Sequence, residues 1–255
     1  MTYAGAEGEL SFTVTPAADR VWAEWSHDTK IKEANDVTAF LAGPILGGLL
    51  RLRGVLSLHA SVVHLRERAV LLIGERRAGK STIAAALAQR GHAILSDDVA
   101  AVTPDTGAGW LVHAGYPRLR LRPDAFHATA PVDAGPVMTG QDKRYVALSS
   151  RPDARAWRFH RGPLPVSGVF ELRRDPERVA PTVERVRGAD RLALLLGHTR
   201  AALAPLDPAA QARELKALSR FGEDVKMSRV CYPNGLEHTA AICSAIVSEA
   251  PSASP

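Results

Sequence analysis

The sequence predicts an α/β fold in which a mixed β-sheet is flanked by helices. An apolar strand, a glycine loop, a helix and a second short strand follow one another within about 30 residues, the order of a crossover between parallel strands. Further alternating segments come after it and read as antiparallel additions to the same sheet. A chain of 255 residues that is 46% apolar has the material for a sizeable core.

Residues 10–14 alternate as an early strand, and residues 36–52 read as a helix entering the core. Residues 58–65 form a strand candidate, Arg66-Glu67-Arg68 a polar turn, and residues 69–73 an apolar strand that runs straight into Gly74. A helix is expected over residues 80–90, with Ile83 and Leu87 on one face and Gly91 as its stop. Residues 93–95 then make a short buried strand. Residues 99–103 and 110–113 pair as a hairpin around Pro104-Asp105-Thr106-Gly107, and residues 118–122 alternate as another strand. Residues 128–142 lack periodicity and read as a surface loop able to close over a substrate. Helices near 189–197, 209–221 and 235–248 and a strand over 226–232 complete the chain, and the ending Pro-Ser-Ala-Ser-Pro should fray. The expected organisation is one catalytic unit over 1–250 with a tail at 251–255. Within it lie an N-terminal strand and helix (1–54), a central part (55–125) and a C-terminal mixed part (143–250).

A net charge of +5 and a pI near 9.5 favour anionic ligands. The excess is dispersed and no basic run reads as a nucleic-acid tail, so phosphate binding suffices to explain it. Cys231 and Cys243, separated by eleven residues, fit neither a zinc pair nor a redox motif. Together with an N-terminus that lacks a secretory pattern, they lead us to expect a cytoplasmic protein. The apolar stretch 40–52 is broken by glycines and a proline and falls short of the roughly 20 residues that span a bilayer, so no membrane partner is expected.

Gly74-Glu75-Arg76-Arg77-Ala78-Gly79-Lys80-Ser81 matches G-x-x-x-x-G-K-[ST] in full, between a buried strand and a helix start. In that context the backbone amides of Gly74, Ala78, Gly79 and Lys80 line a concavity that the helix dipole reinforces, which suits a polyphosphate such as ATP. Lys80 supplies charge to the β- and γ-phosphates, Ser81 offers a hydroxyl to Mg2+, and Thr82 assists or packs. Asp97 and Asp98 end the next strand, where a base and a metal ligand are wanted. Otherwise the pair reads as a solvated turn.

The order His59-Ala60-Ser61-Val62-Val63, the glycine loop, Arg90-Gly91-His92 and Ser96-Asp97-Asp98-Val99 resembles the catalytic domain of HPr kinase/phosphorylase and its shorter relatives. The likeness extends more loosely through Gly115-Tyr116-Pro117-Arg118-Leu119 and Lys143-Arg144 to His198-Thr199. It implies a P-loop kinase fold of the phosphoenolpyruvate carboxykinase type, self-association, and phosphorylation of a serine hydroxyl with ATP and Mg2+. By resemblance, Lys80 binds phosphates, Ser81 and Asp98 serve the metal, Asp97 is the base and His59 tunes it, with the two aspartate roles exchangeable. Lys143 and Arg144 resemble a basic position near the substrate.

Arg76 and Arg77 stand where the family carries small residues, so either the loop takes another path or the arginines point outward. The family's signature after the loop is not evident at Phe170-Glu171-Leu172-Arg173-Arg174, which puts phosphorylase activity and HPr itself in doubt. Short relatives resemble lasso-peptide tailoring kinases, which implies a peptide or small-protein partner with a serine hydroxyl. Arg118, Arg120 and Arg122 alternate and would present three charges on one strand face, to a peptide or simply to solvent. A non-enzymatic nucleotide-binding regulator, a slow ATPase or a small-molecule acceptor are the competing readings.

Overall fold

The computed structural model describes residues 2–5, 8–25, 34–129, 135–137, 142–151, 153–199 and 206–251. An N-terminal antiparallel sheet comprises β1 (Thr2–Gly5), β2 (Gly8–Val14) and β3 (Val21–Trp25) in that order. A helical stretch follows: α1 (Ala34–Phe40), a π-turn over Leu41–Ile45 containing Pro44, and α2 (Leu46–Leu52). The expected helix over 36–52 is therefore present, with a widened turn where Pro44 has no N–H to give. Leu10 and Phe12 of β2 pack against Val37 and Ile45 as a small core of their own.

The central sheet is built from β4 (Leu56–Leu58), β5 (Ser61–Leu65), β6 (Arg68–Ile73), β7 (Ile94–Ser96), β8 (Ala100–Asp105) and β9 (Gly109–Val112), with α3 (Lys80–Gln89) between β6 and β7. The chain continues through β10 (Arg118–Leu121), α4 (Pro123–Thr129), β11 (Arg144–Ala147), β12 (Leu164–Arg174), β13 (Thr182–Arg185), α5 (Ala189–Gly197), α6 (Pro208–Asp224), β14 (Lys226–Tyr232) and α7 (Thr239–Glu249). Its strand order is β4-β8-β9-β12-β6-β5-β7, and β14 also pairs with β12 and carries β13. β10 and β11 form a separate two-stranded ribbon.

Several expectations are corrected here. The single strand over 58–65 is two strands, β4 pairing with β8 and β5 with β6 and β7, because the chain breaks at His59-Ala60. The crossover from β6 through α3 to β7 is present, but β5 lies antiparallel between the two strands. β12, which pairs in parallel with both β6 and β14, had no counterpart in the sequence reading. Of residues 128–142, the segments 130–134 and 138–141 lie outside the described residues, as do 252–255 of the tail.

Alternation along the strands divides the core in two. Val70 and Leu72 of β6, with Phe170 and Leu172 of β12, face α3, α7 and the β10–β11 ribbon. Ala69, Leu71 and Ile73 face the opposite way, toward Leu194 and Leu195 of α5 and Leu218 and Phe221 of α6. Both faces of β6 are thus covered, which is why it reads as a continuous apolar run. Among the described residues no helix is long and apolar enough to cross a membrane. Cys231 and Cys243 are buried free thiols.

At the end of β5 and β7 remote from Asp97, the His64 ring stacks 4.8 Å from that of His160, and its buried Nε2 has no hydrogen-bond partner among the described residues. Burial, then the charges of His160, Arg158 and His92, lower the His64 imidazole below the ordinary 6.5, with Glu67 opposing. Burial and Arg90 lower His92 likewise.

Two outcomes follow from this architecture. Phe170 is 2% exposed at the centre of the sheet, so Phe170→Ala should cost about 3–5 kcal/mol in denaturant unfolding. Because the folded state holds His64 and His92 neutral, the unfolded chain binds more protons below pH 6.5. Stability is therefore complete above 6.5 and falls as the pH drops below it. His64→Gln should flatten that slope in unfolding curves taken from pH 7.5 down to 5.

Candidate active site

The carboxyl ends of β6, β7, β12 and β14 lie at one edge of the sheet, and the glycine loop leaves β6 there. Gly74 adopts φ +146°, and a Cβ at that position would stand 2.6 Å from the Leu172 carbonyl oxygen of β12, so close backbone packing demands glycine. Gly79 turns the chain into α3 at φ +88°, and no side chain caps that helix end. Uncapped amides at the start of a largely buried helix are what a phosphate would satisfy. The Tyr232 hydroxyl, at the end of β14, donates to the Ala78 carbonyl and braces the loop from behind.

The arginine question has a geometric answer. Arg77 itself takes φ +71°, and Arg76 and Arg77 are both exposed. Both side chains stand at the surface, and Arg77 carries a local strain of roughly 1–2 kcal/mol as a left-handed non-glycine residue. Lys80 is 8% exposed, and its ammonium donates to the carbonyls of Gly74 at 2.7 Å and Glu75 at 3.2 Å. Thr82 follows on the first turn, half-buried.

Asp97 accepts from three donors. Ser81 Oγ lies 3.0 Å and Ser61 Oγ 2.5 Å from its Oδ1, while the Arg120 amide donates to Oδ2 at 3.0 Å. Asp98, at φ +83°, has His59 Nδ1 3.0 Å from Oδ1 and the Arg120 guanidinium 3.0 Å from Oδ2. Ser81 therefore sits with Asp97 and His59 with Asp98, the exchanged form of the pairing implied by resemblance. Arg120 also donates to the Ala39 carbonyl at 3.2 Å. Gly43, in the π-turn, packs so closely that a Cβ there would lie 2.7 Å from Asp98 Oδ2.

The register of the ribbon sorts the remaining candidates. Arg120 faces Tyr145 across the strands and Arg118 faces Ala147, while Leu119 and Leu121 face Val146 and Arg144. Arg118, Arg120 and Tyr145 consequently share one face, Lys143 immediately precedes β11, and Arg144 belongs to the other face, where it lies 5.9 Å from the Phe126 ring. Desolvation lowers Lys143 below the ordinary lysine range; Asp98 and Asp97 oppose it, and Arg120 and Arg76 add to it. The expected trio of arginines is divided: Arg120 is engaged with Asp98, and Arg122 is exposed beside Asp124.

Four residues had no catalytic or metal-binding role in the sequence reading. Ser61 is fully buried against Asp97, and its place in the quoted His59-Ala60-Ser61 run was the available signal. Arg120 carried only a strand-face assignment. Glu171 sits opposite Ile73 on β12 and is bound by Arg229 at 2.5 Å; a lone acid closing an apolar run was its only mark. His198 accepts from the His59 amide at 2.7 Å, and burial, reinforced by the Lys80 charge, holds its imidazole below the usual range.

Magnesium prefers hard oxygen donors, one or two from protein and the rest from phosphate and water. Among the described residues no three His, Cys, Asp or Glu side chains form a metal cluster. Ser81 with Asp97 is such a sparse oxygen pair beside a phosphate cradle, and it fits.

No family model matches the chain, and no curated protein is similar to it. Among solved structures it is similar to the HPr(Ser) kinase/phosphatase from Coxiella burnetii, with 13% identity, 75% of this chain and 87% of that one covered, and a TM-score of 0.36.

The Asp98–Arg120 pair is largely enclosed, at 14% and 15% side-chain exposure. Arg120→Gln leaves Asp98 without its cation and should lower unfolding stability by about 3 kcal/mol. Gly43→Ala should impair the same pair by displacement, read as lost stability with Arg120 intact.

Proposed function

We propose that the protein is an ATP-dependent kinase that transfers the γ-phosphoryl group to a serine hydroxyl of a peptide or small protein. One observation carries the assignment: the glycine loop, a hydroxyl–carboxylate pair and a histidine–carboxylate pair meet at one sheet edge, with Ser81 3.0 Å from Asp97 and His59 3.0 Å from Asp98. Loop amides and Lys80 would bind the phosphates, Lys80 exchanging the Gly74 and Glu75 carbonyls for phosphate oxygens. Ser81 and Asp97 would hold Mg2+, which supplies charge neutralisation at the phosphate oxygens when bound.

Asp98 would then be the base, the reverse of the first assignment, because His59 rather than a metal-facing hydroxyl lies against it. As the acceptor oxygen bonds to the γ-phosphorus and the bond to the ADP oxygen breaks, Asp98 takes the hydroxyl proton. His59 Nδ1 lies 3.0 Å from the Asp98 main-chain carbonyl oxygen as well as from Oδ1, and would steady that residue. Lys143 would stand at the cleft mouth. A lasso precursor peptide is the narrower substrate suggested by the sequence resemblance, an HPr-like protein the alternative, and the cytoplasm the expected compartment.

A nucleotide-binding regulator or slow ATPase is favoured by one observation, that both oxygens of Asp98 are already engaged. Labelled ATP separates the readings. Label in a serine peptide supports the kinase, whereas free phosphate or unreacted bound ATP supports the alternative. Asp98→Asn should reduce transfer by about 10²–10⁴-fold with ATP affinity nearly unchanged. Asp97→Asn should raise the magnesium concentration needed for half-maximal rate. Wild-type transfer by Asp98→Asn would remove the assigned base.

A further inference from the structure

The ribbon face turned toward the aspartates carries Arg118 and Arg120, and of the two, among the described residues, Arg120 alone has a carboxylate partner there. Arg118 makes no side-chain hydrogen bond or ion pair to any described residue. Instead its guanidinium carbon lies 5.3 Å from the ring centre of Tyr116 and 5.2 Å from that of Tyr145. The two rings meet edge to face with centres 6.4 Å apart and the guanidinium packs beside both, which restricts its rotamers while leaving its N–H edge unspent. Tyr116 is 37% exposed, so this contact opens to solvent, and Tyr145 is 4% exposed, so its inner side is fixed.

Arg118 and Arg120 are two residues apart on one strand face, about 6–7 Å along the strand. A group held by Arg118 is thereby within a residue or two of whatever faces Asp98, the partner of Arg120. Lys143, the residue before β11, adds a second cation that senses the charges of both aspartates. A restrained cation without an acid, beside a site suited to a nucleotide, is suited to a second anion.

We infer that the acceptor presents an anionic group, a carboxylate or a phosphate ester, next to the hydroxyl that is phosphorylated. Arg118, packed against Tyr116 and Tyr145, binds that group in a forked contact, and Lys143 adds charge nearby. This rests on the kinase reading and narrows its substrate class to acidic acceptors.

The test uses labelled serine peptides of one length. In one, glutamates flank the serine; in the second, phosphoserine does; in the third, a free C-terminal carboxylate follows it; in the fourth, glutamines flank it and the C-terminus is amidated. Fluorescence anisotropy with the full chain should show an anionic peptide bound at least about tenfold more tightly than the neutral one. The tightest of the three anionic peptides identifies the group. Arg118→Gln should abolish the preference, Arg118→Lys should retain part of it because the charge remains without the fork, and Arg122→Gln should leave it unchanged. Equal binding of all four peptides, or a preference that survives in Arg118→Gln, overturns the inference.

Transfer of label from ATP is scored in the same samples. Transfer to neutral and anionic peptides alike overturns the acidic-acceptor inference and leaves the kinase reading intact. Discrimination in binding with no transfer leaves the anion site standing and removes the kinase reading.

Discussion

Arg120 is the joint on which the chemistry of this protein turns. Its amide donates to Asp97 and its guanidinium to Asp98 and to the Ala39 carbonyl, so one residue of the ribbon fixes both acids and ties them to the N-terminal helix. Asp98 needs that support because its backbone sits at φ +83°, a conformation that surrounding contacts must hold in place for a non-glycine residue. The cation offsets the cost of gathering two adjacent carboxylates at a half-buried strand end. Gly43 completes the arrangement by having no side chain where Asp98 Oδ2 must lie.

The glycine loop is supported from the other side by different elements. Gly74 rests on the backbone of β12, and Tyr232 at the end of β14 holds the Ala78 carbonyl. These strands run parallel to β6 and bring their carboxyl ends to the same edge, which concentrates loop, acids and His59 there. Arg76 and Arg77 are accommodated because this wall sets the loop path and their side chains have solvent before them.

Much of the local structure could be read from the residues. The loop, α3, the β8–β9 hairpin, α5 and β14 follow from apolar periodicity and turn chemistry, since each is decided by neighbours in sequence. β12 was missed because it is buried on both faces and therefore lacks alternation, and because Pro165, Ser167 and Gly168 interrupt it at the point where its register with β6 shifts. Asp97, Asp98, Ser81 and His59 were legible as a set from motif spacing. Their pairing was not, because β5 lies between β6 and β7 and so Ser61 and Ser81 reach Asp97 while His59 reaches Asp98. Arg120 and Arg118 look alike in an alternating run; only the ribbon register and the position of Tyr145 separate the clamp on the acids from the cation left over.

The placement of β12 also bears on how the chain matures. The outer edge of β6 is completed by a strand that begins some ninety residues after it ends, and the brace at Tyr232 arrives later still. During synthesis the loop therefore leaves the ribosome well before its wall exists. The shape of the loop is fixed late, as a property of the nearly finished polypeptide, and such distant pairings make assembly slow compared with helix formation. A chain shortened before residue 164 would keep every residue of the glycine motif and still lack the surface that shapes it.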